Sequence, residues 1–169
     1  MISGLFARLT GQPKRGQPLF DAAVAEARRP HWFAQGQVPD TLEGRFAMLS
    51  TVLALMIVRL EQSGPDGEAA TVGLTERFVE AMDAEIRQMG LSDPKLGRQV
   101  RSLVGALATR IEHWRSAIGD GGDWTAAVLR SVYRGNSPGP EALAHSVAAT
   151  RKLWLRLEQS DSLLEGKIE

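Results

Sequence analysis

The sequence predicts an all-α, single-domain helical bundle of about six to seven helices around a long central helix. Three observations carry that prediction. Apolar residues recur at three- and four-residue intervals almost throughout, with no credible alternating strand. Pro, Gly, Asp and Asn interrupt the pattern at positions suited to helix starts and stops. The 169 residues, 43% of them hydrophobic, suit one core, and no repeat or linker divides them.

Taken in order, Ile2 to Leu9 forms a short amphipathic segment, followed by a loop from Thr10 to Gln17 that carries Lys14 and Arg15. Residues 1–17 are thereby set apart from a helical domain over 18–160. A helix from Pro18 to Arg28 must stop near Pro30, because the residue before a proline avoids the helical region. His31 to Pro39 reads as irregular. Asp40 and Glu43 have capping-box spacing, so a long helix starts there and continues to about Gln62. Gly64-Pro65-Asp66-Gly67 reads as a flexible connection. Leu74, Phe78, Met82, Ile86 and Met89 then share one face of a helix that Gly90 ends. Asp93-Pro94 opens the next, with Val100, Leu103, Val104, Leu107, Ile111 and Trp114 on one stripe. Gly119 to Gly122 is a turn, Asp123 caps a helix from Trp124 to Arg134, and Asn136 to Pro140 is a break. The last helix carries Leu143, Val147, Trp154 and Leu157, and residues 161–169 read as a frayed tail.

The central helix has an expected core stripe of Leu42, Phe46, Leu49, Leu53, Ile57 and Leu60. Met48, Val52 and Leu55 make a second apolar line around the axis. Two readings stand: the helix is surrounded by the others, or one apolar side lines a groove for a hydrophobic partner. Arg45 lies on the line of Thr41, Met48 and Val52. Its guanidinium either pairs with a carboxylate or meets a partner.

Composition narrows the chemistry. Twenty basic residues balance twenty acidic ones, so bulk charge gives no nucleic-acid affinity and DNA is not an expected partner. Without cysteine there is no disulfide, thiolate nucleophile or cysteine zinc site. Gly135-Asn136-Ser137-Pro138-Gly139 fits the G-x-S-x-G pattern, but a helix precedes it and Pro138 has no N–H for an oxyanion. His31, His113 and His145 show no metal-ligand spacing, and phosphate-binding glycine motifs are missing. Glu76, Glu80, Asp83 and Glu85 read as a solvated face. No enzyme, cofactor or metal is expected. The longest uncharged apolar run, Phe46 to Val58, falls short of the about 20 residues that cross a bilayer. Ile2, Leu5, Phe6 and Leu9 share a face with Arg8 beside it, which suits a membrane surface.

Val38-Pro39-Asp40-Thr41-Leu42-Glu43-Gly44-Arg45-Phe46, with Trp32-Phe33 and Gly36 before it, resembles the ubiquinol–cytochrome c chaperone family. Phe78-Val79-Glu80-Ala81-Met82-Asp83, then Ile86 to Gly90 and Asp93, gives a second match, and Arg130-Ser131-Val132-Tyr133 a third. Together they cover most of residues 20–135. The chain departs from the family at Pro94 to Arg98 and at Ala108-Thr109-Arg110, where Arg98 and Arg110 keep the charge but an aromatic residue and a glycine are gone. The resemblance implies an all-helical, non-enzymatic chaperone that assists assembly of respiratory complex III by binding newly made cytochrome b. It also implies contact with the translating ribosome, as in mitochondrial members, and for a bacterial member a cytoplasmic place at the inner membrane. Its motifs nominate Trp32, Phe33, Asp40, Thr41, Arg45, Arg98 and Arg110 for partner contact. Two rivals remain open at this level: a helical small-ligand binder or enzyme with its site between helices, and a ribosome- or RNA-associated regulator.

Overall fold

A computed structural model describes residues 14–90, 93–119 and 121–168. Among them are seven α-helices: α1 Gln17–Ala27, α2 Pro30–Ala34, α3 Leu42–Glu61, α4 Gly64–Gln88, α5 Asp93–Ile118, α6 Trp124–Ser131 and α7 Pro140–Gln159. No strand occurs among the described residues, as the periodicity predicts.

Helix α3 is the axis of the bundle, in contact with α1, α4, α5, α6 and α7. Its start differs by one residue from the expected capping box. Thr41, rather than Asp40, is the cap, its hydroxyl accepting from the Gly44 N–H at 3.2 Å. The Asp40 carboxylate is engaged elsewhere, with Arg45. A Cβ on Gly44 would collide with the Pro39 carbonyl, so glycine is required where the chain folds back against the helix it enters.

Other elements correct the sequence reading. His31 to Pro39 is not wholly irregular, because Pro30 opens the short helix α2; five residues are too few to show a period. Gly64 to Gly67 is the first turn of α4 rather than a flexible connection. Pro65 occupies a position whose N–H lacks a helical partner anyway, and Asp66 favours the positive helix end. Helix α6 ends at Ser131, short of Arg134, because Arg134 and Gly135 both take positive φ, 56° and 82°, and reverse the chain. The expected frayed tail is instead folded: Leu163–Glu165 is a 3-10 turn whose buried Leu163 packs with it against α1 and α4. Ser160 Oγ and Arg156 then hold the Lys167 and Ile168 carbonyls.

The core draws on both apolar lines of α3. Met48, Val52 and Leu55 are fully buried, together with Leu53, Met56, Ile57 and Leu60, against Trp114, Phe78, Leu74, Leu153 and Leu157. The stripe expected to be core fails at its N-terminal end, where Leu42 is 48% exposed and Phe46 and Leu49 are half-buried. Both readings of α3 therefore hold, each for one part: its C-terminal part is surrounded, and one apolar side near its start is open.

Polar groups inside this core are matched across helices. Thr51 on α3 shares a 2.7 Å hydrogen bond with Ser131 on α6, which accepts from Trp114 Nε1 on α5 at 3.0 Å. Tyr133 OH meets Ser146 on α7 at 2.6 Å and the Gly36 carbonyl at 2.6 Å. Glu26, buried on α1, pairs with Arg29 at 3.3 Å and Arg156 on α7 at 3.0 Å. These fix the outer helices whose ends frame the open side of α3.

Candidate functional site

The open side of α3 is one wall of a groove of about 1110 Å³. Leu42, Phe46 and Leu49 supply that wall, Met82, Ile86 and Met89 of α4 a second, and Leu103 and Ala106 of α5 a third. Val24 and Ala27 of α1 and Phe33 of α2 close the remaining side. The sequence pattern explains why these helices leave a gap. The stripe on α4 runs from Met82 to the buried Ile86 and on to Met89, the residue that caps the helix and is 56% exposed. Apolar side chains on several helices thus face one another across open space, with none of the described residues filling it.

Two cations of the lining, Arg110 and Arg134, stand near each other. Arg110 lies on the groove-facing side of α5 and is only 9% exposed. Its Nε donates to the Ser131 carbonyl at 3.3 Å and its Nη1 to the Ala106 carbonyl at 3.2 Å. Its guanidinium stands 5.7 Å from the centre of the Phe46 ring. Arg134, delivered to the groove by the left-handed reversal after α6, is close enough to repel it. Burial first and the Arg134 charge second lower the Arg110 pKa from its ordinary value.

The nominated residues divide. Phe33, Asp40, Arg45 and Arg110 all line the groove. Arg45 is an exposed partner of Asp40, Nε to Oδ1 2.7 Å. Trp32 does not belong to any surface: it is fully buried, with Nε1 donating to the Glu26 carbonyl at 3.0 Å, because the single turn of α2 points it at the core. Thr41 serves as the helix cap and does not line the groove. Arg98 is exposed on α5 and does not line the groove. Ile2, Leu5, Phe6, Arg8 and Leu9 lie outside the described residues.

Sequence reasoning missed Arg134, Arg28 and the α4 contribution. A usable signal was present in the two apolar lines on α3, since a helix apolar on two sides needs more neighbours than its own bundle supplies. His31 and His145 were also unforeseen as a pair, yet Nδ1 and Nε2 stand 3.1 Å apart. Among the described residues no three His, Cys, Asp or Glu gather as a metal site. Gly135 to Gly139 is the interhelical turn between α6 and α7, with an exposed Ser137 that donates to the Pro138 carbonyl. No helix among the described residues is long and apolar enough to cross a membrane.

Fold and groove together define an all-helical protein with an apolar groove whose lining also carries arginines. The family model for ubiquinol–cytochrome C chaperones matches residues 34–168, and the chain belongs to that family. The matched span takes in α3 to α7 and begins just after Phe33. Among solved structures, a crystal structure of a Cbp3 homologue from Brucella abortus is similar at 26% identity and a TM-score of 0.77. The alignment covers 100% of this chain and 96% of that one. No curated protein matches the chain by sequence.

Proposed function

We propose that the groove receives an apolar segment of newly made cytochrome b and holds it until complex III assembly, a non-catalytic role exercised in the cytoplasm at the inner membrane. The observation that carries this reading is the open apolar wall of α3, Leu42, Phe46 and Leu49, facing Met82, Ile86 and Met89. A segment that will later be buried in a membrane or a complex exposes apolar side chains while it waits. An apolar groove lowers that cost by burying them reversibly, at about 25 cal/mol for each Å² removed from water. Family membership supports a client in complex III assembly, and the apolar lining of the groove suits such a segment.

The test uses the two apolar side chains most exposed at the groove mouth. Leu42→Asp combined with Met89→Asp places charge in the groove without touching the core. Tagged protein is isolated from detergent-solubilised membranes and probed for cytochrome b. The double variant is expected to lose the association, whereas Leu155→Asp, at an exposed apolar site outside the groove, retains it. Undiminished cytochrome b with the double variant refutes the reading.

A further inference from the structure

We infer that the groove reads a carboxylate on its apolar guest, and that Arg110, assisted by Arg134, is the group that holds it. This deepens the preceding reading and rests on it. Buried charges elsewhere in the described residues are matched: Glu26 has Arg29 and Arg156, and Arg77 has Glu80 at 2.8 Å. Arg110 is the exception, since no carboxylate among the described residues lies within ion-pair distance of it. Its two hydrogen bonds go to neutral backbone carbonyls, and its Nη2 has no hydrogen-bond partner among the described residues.

A buried guanidinium without a counter-ion is costly, because the lost hydration is returned only in part by carbonyl dipoles. A second arginine beside it adds to the cost. The groove's own acids do not relieve it. Asp40 is committed to Arg45 at 2.7 Å, and Glu43 and Glu85 are exposed residues of the groove lining, neither paired with Arg110. An incoming carboxylate would find a charged donor already fixed by Phe46 behind it and two carbonyls beside it. Arginine and carboxylate form strong, directional pairs, most of all where water is excluded. The complementary guest is an apolar polypeptide segment with one acidic side chain on the buried face, a residue that otherwise disfavours leaving water. Selection then follows from charge, while the apolar walls supply adhesion.

The test compares two synthetic peptides, lysine-flanked leucine–alanine 14-mers that differ only in a central glutamate or glutamine. Titration calorimetry with the full chain at neutral pH and low salt measures each. The glutamate peptide is expected to bind about tenfold more tightly than its twin, in keeping with one charge-assisted pair. Arg110→Gln should remove that preference, so that the two peptides bind alike, and Arg134→Gln should reduce it in part. Circular dichroism establishes that each variant is folded, and the wild-type comparison stands even if Arg110→Gln is not. Equal affinity of the two peptides for the wild type, with binding abolished by Leu42→Asp and Met89→Asp, overturns the carboxylate assignment and leaves the apolar groove intact. Binding of neither peptide overturns both. Oleate that binds with the same Arg110 dependence while both peptides fail shows a lipid-acid site instead, and likewise overturns the proposal.

Discussion

Arg110 on α5 stands over the ring of Phe46 on α3, 5.7 Å from its centre, in the lining of an apolar groove. The pair shows how charge can be kept in an apolar wall. The ring face offers the guanidinium negative potential on one side, and the Ser131 and Ala106 carbonyls hold its edge. Its Nη2 makes no hydrogen bond among the described residues. Phe46 is therefore both wall and support.

The coupling between the two can be measured. Phe46→Leu keeps apolar bulk and removes the ring face, while Arg110→Met keeps length and removes charge. A double-mutant cycle by urea denaturation is expected to give an interaction of about 0.5–2 kcal/mol, the range for partly desolvated cation–π pairs. Strictly additive effects would show that the ring serves only as bulk.

Ser131 carries more than its size suggests. It joins Thr51, Trp114 and, through its carbonyl, Arg110. Ser131→Ala leaves Trp114 Nε1 without its acceptor in a fully buried place and removes the partner of Thr51. The expected loss is about 1–3 kcal/mol in urea denaturation, the cost of a buried donor left unmatched. Unchanged stability would contradict the network.

Ser50 presents the opposite case. It is fully buried on α3 and its hydroxyl has no hydrogen-bond partner. Ser50→Ala relieves the desolvated hydroxyl without creating a large cavity, so it should stabilise the protein by about 1 kcal/mol. A lower urea midpoint for the variant would contradict this.

The helices, the caps at Gly90 and Asp123 and the single core were legible in the sequence, because each follows from local periodicity and backbone chemistry. The groove was half legible. Periodicity identifies which residues of α3 share a face, so Leu42, Phe46 and Leu49 were grouped correctly. It does not say which of two apolar faces acquires a neighbour. That depends on where α1, α2 and α4 end, and so Met48, Val52 and Leu55 join Leu53, Ile57 and Leu60 in the core while Leu42, Phe46 and Leu49 face the groove. Trp32 was nominated with Phe33 from the family motif, but neighbours on a helix lie about 100° apart, so one is buried while the other lines the groove. Pairs between distant segments, such as Arg110 with Phe46, leave no local trace.

Arg45 separates stability from recognition. Its bond to Asp40 lies in solvent, with both side chains about two-thirds exposed, and it lowers the Asp40 pKa. Exposed ion pairs of this kind contribute little to folding. Arg45→Ala should therefore leave the melting temperature nearly unchanged. Arg45→Glu should also remain folded but diminish cytochrome b association, because it adds a negative charge beside Asp40 and Glu43 at the groove. Wild-type capture by a folded Arg45→Glu protein would remove Arg45 from the site.

His31 on α2 and His145 on α7 are separated by 114 positions but bring Nδ1 and Nε2 to 3.1 Å. One proton between the rings makes a hydrogen bond; protonating both rings sets two N–H groups against each other. Burial lowers the His31 pKa from 6.5, and the charges of His145, Arg29 and Lys152 act the same way, with Glu26 opposing. Glu26 is already shared between Arg29 and Arg156. Because the folded value lies below the unfolded one, the unfolded chain binds more protons as pH falls through that range. Stability is thus full above about pH 6.5, declines as pH drops below it and levels off beneath the folded value. Urea midpoints should be flat between about pH 8 and 7 and fall toward about pH 5.5. In His31→Gln that part of the decline should vanish, since the group that resists protonation is gone. A variant with the wild-type slope would place the pH sensitivity elsewhere.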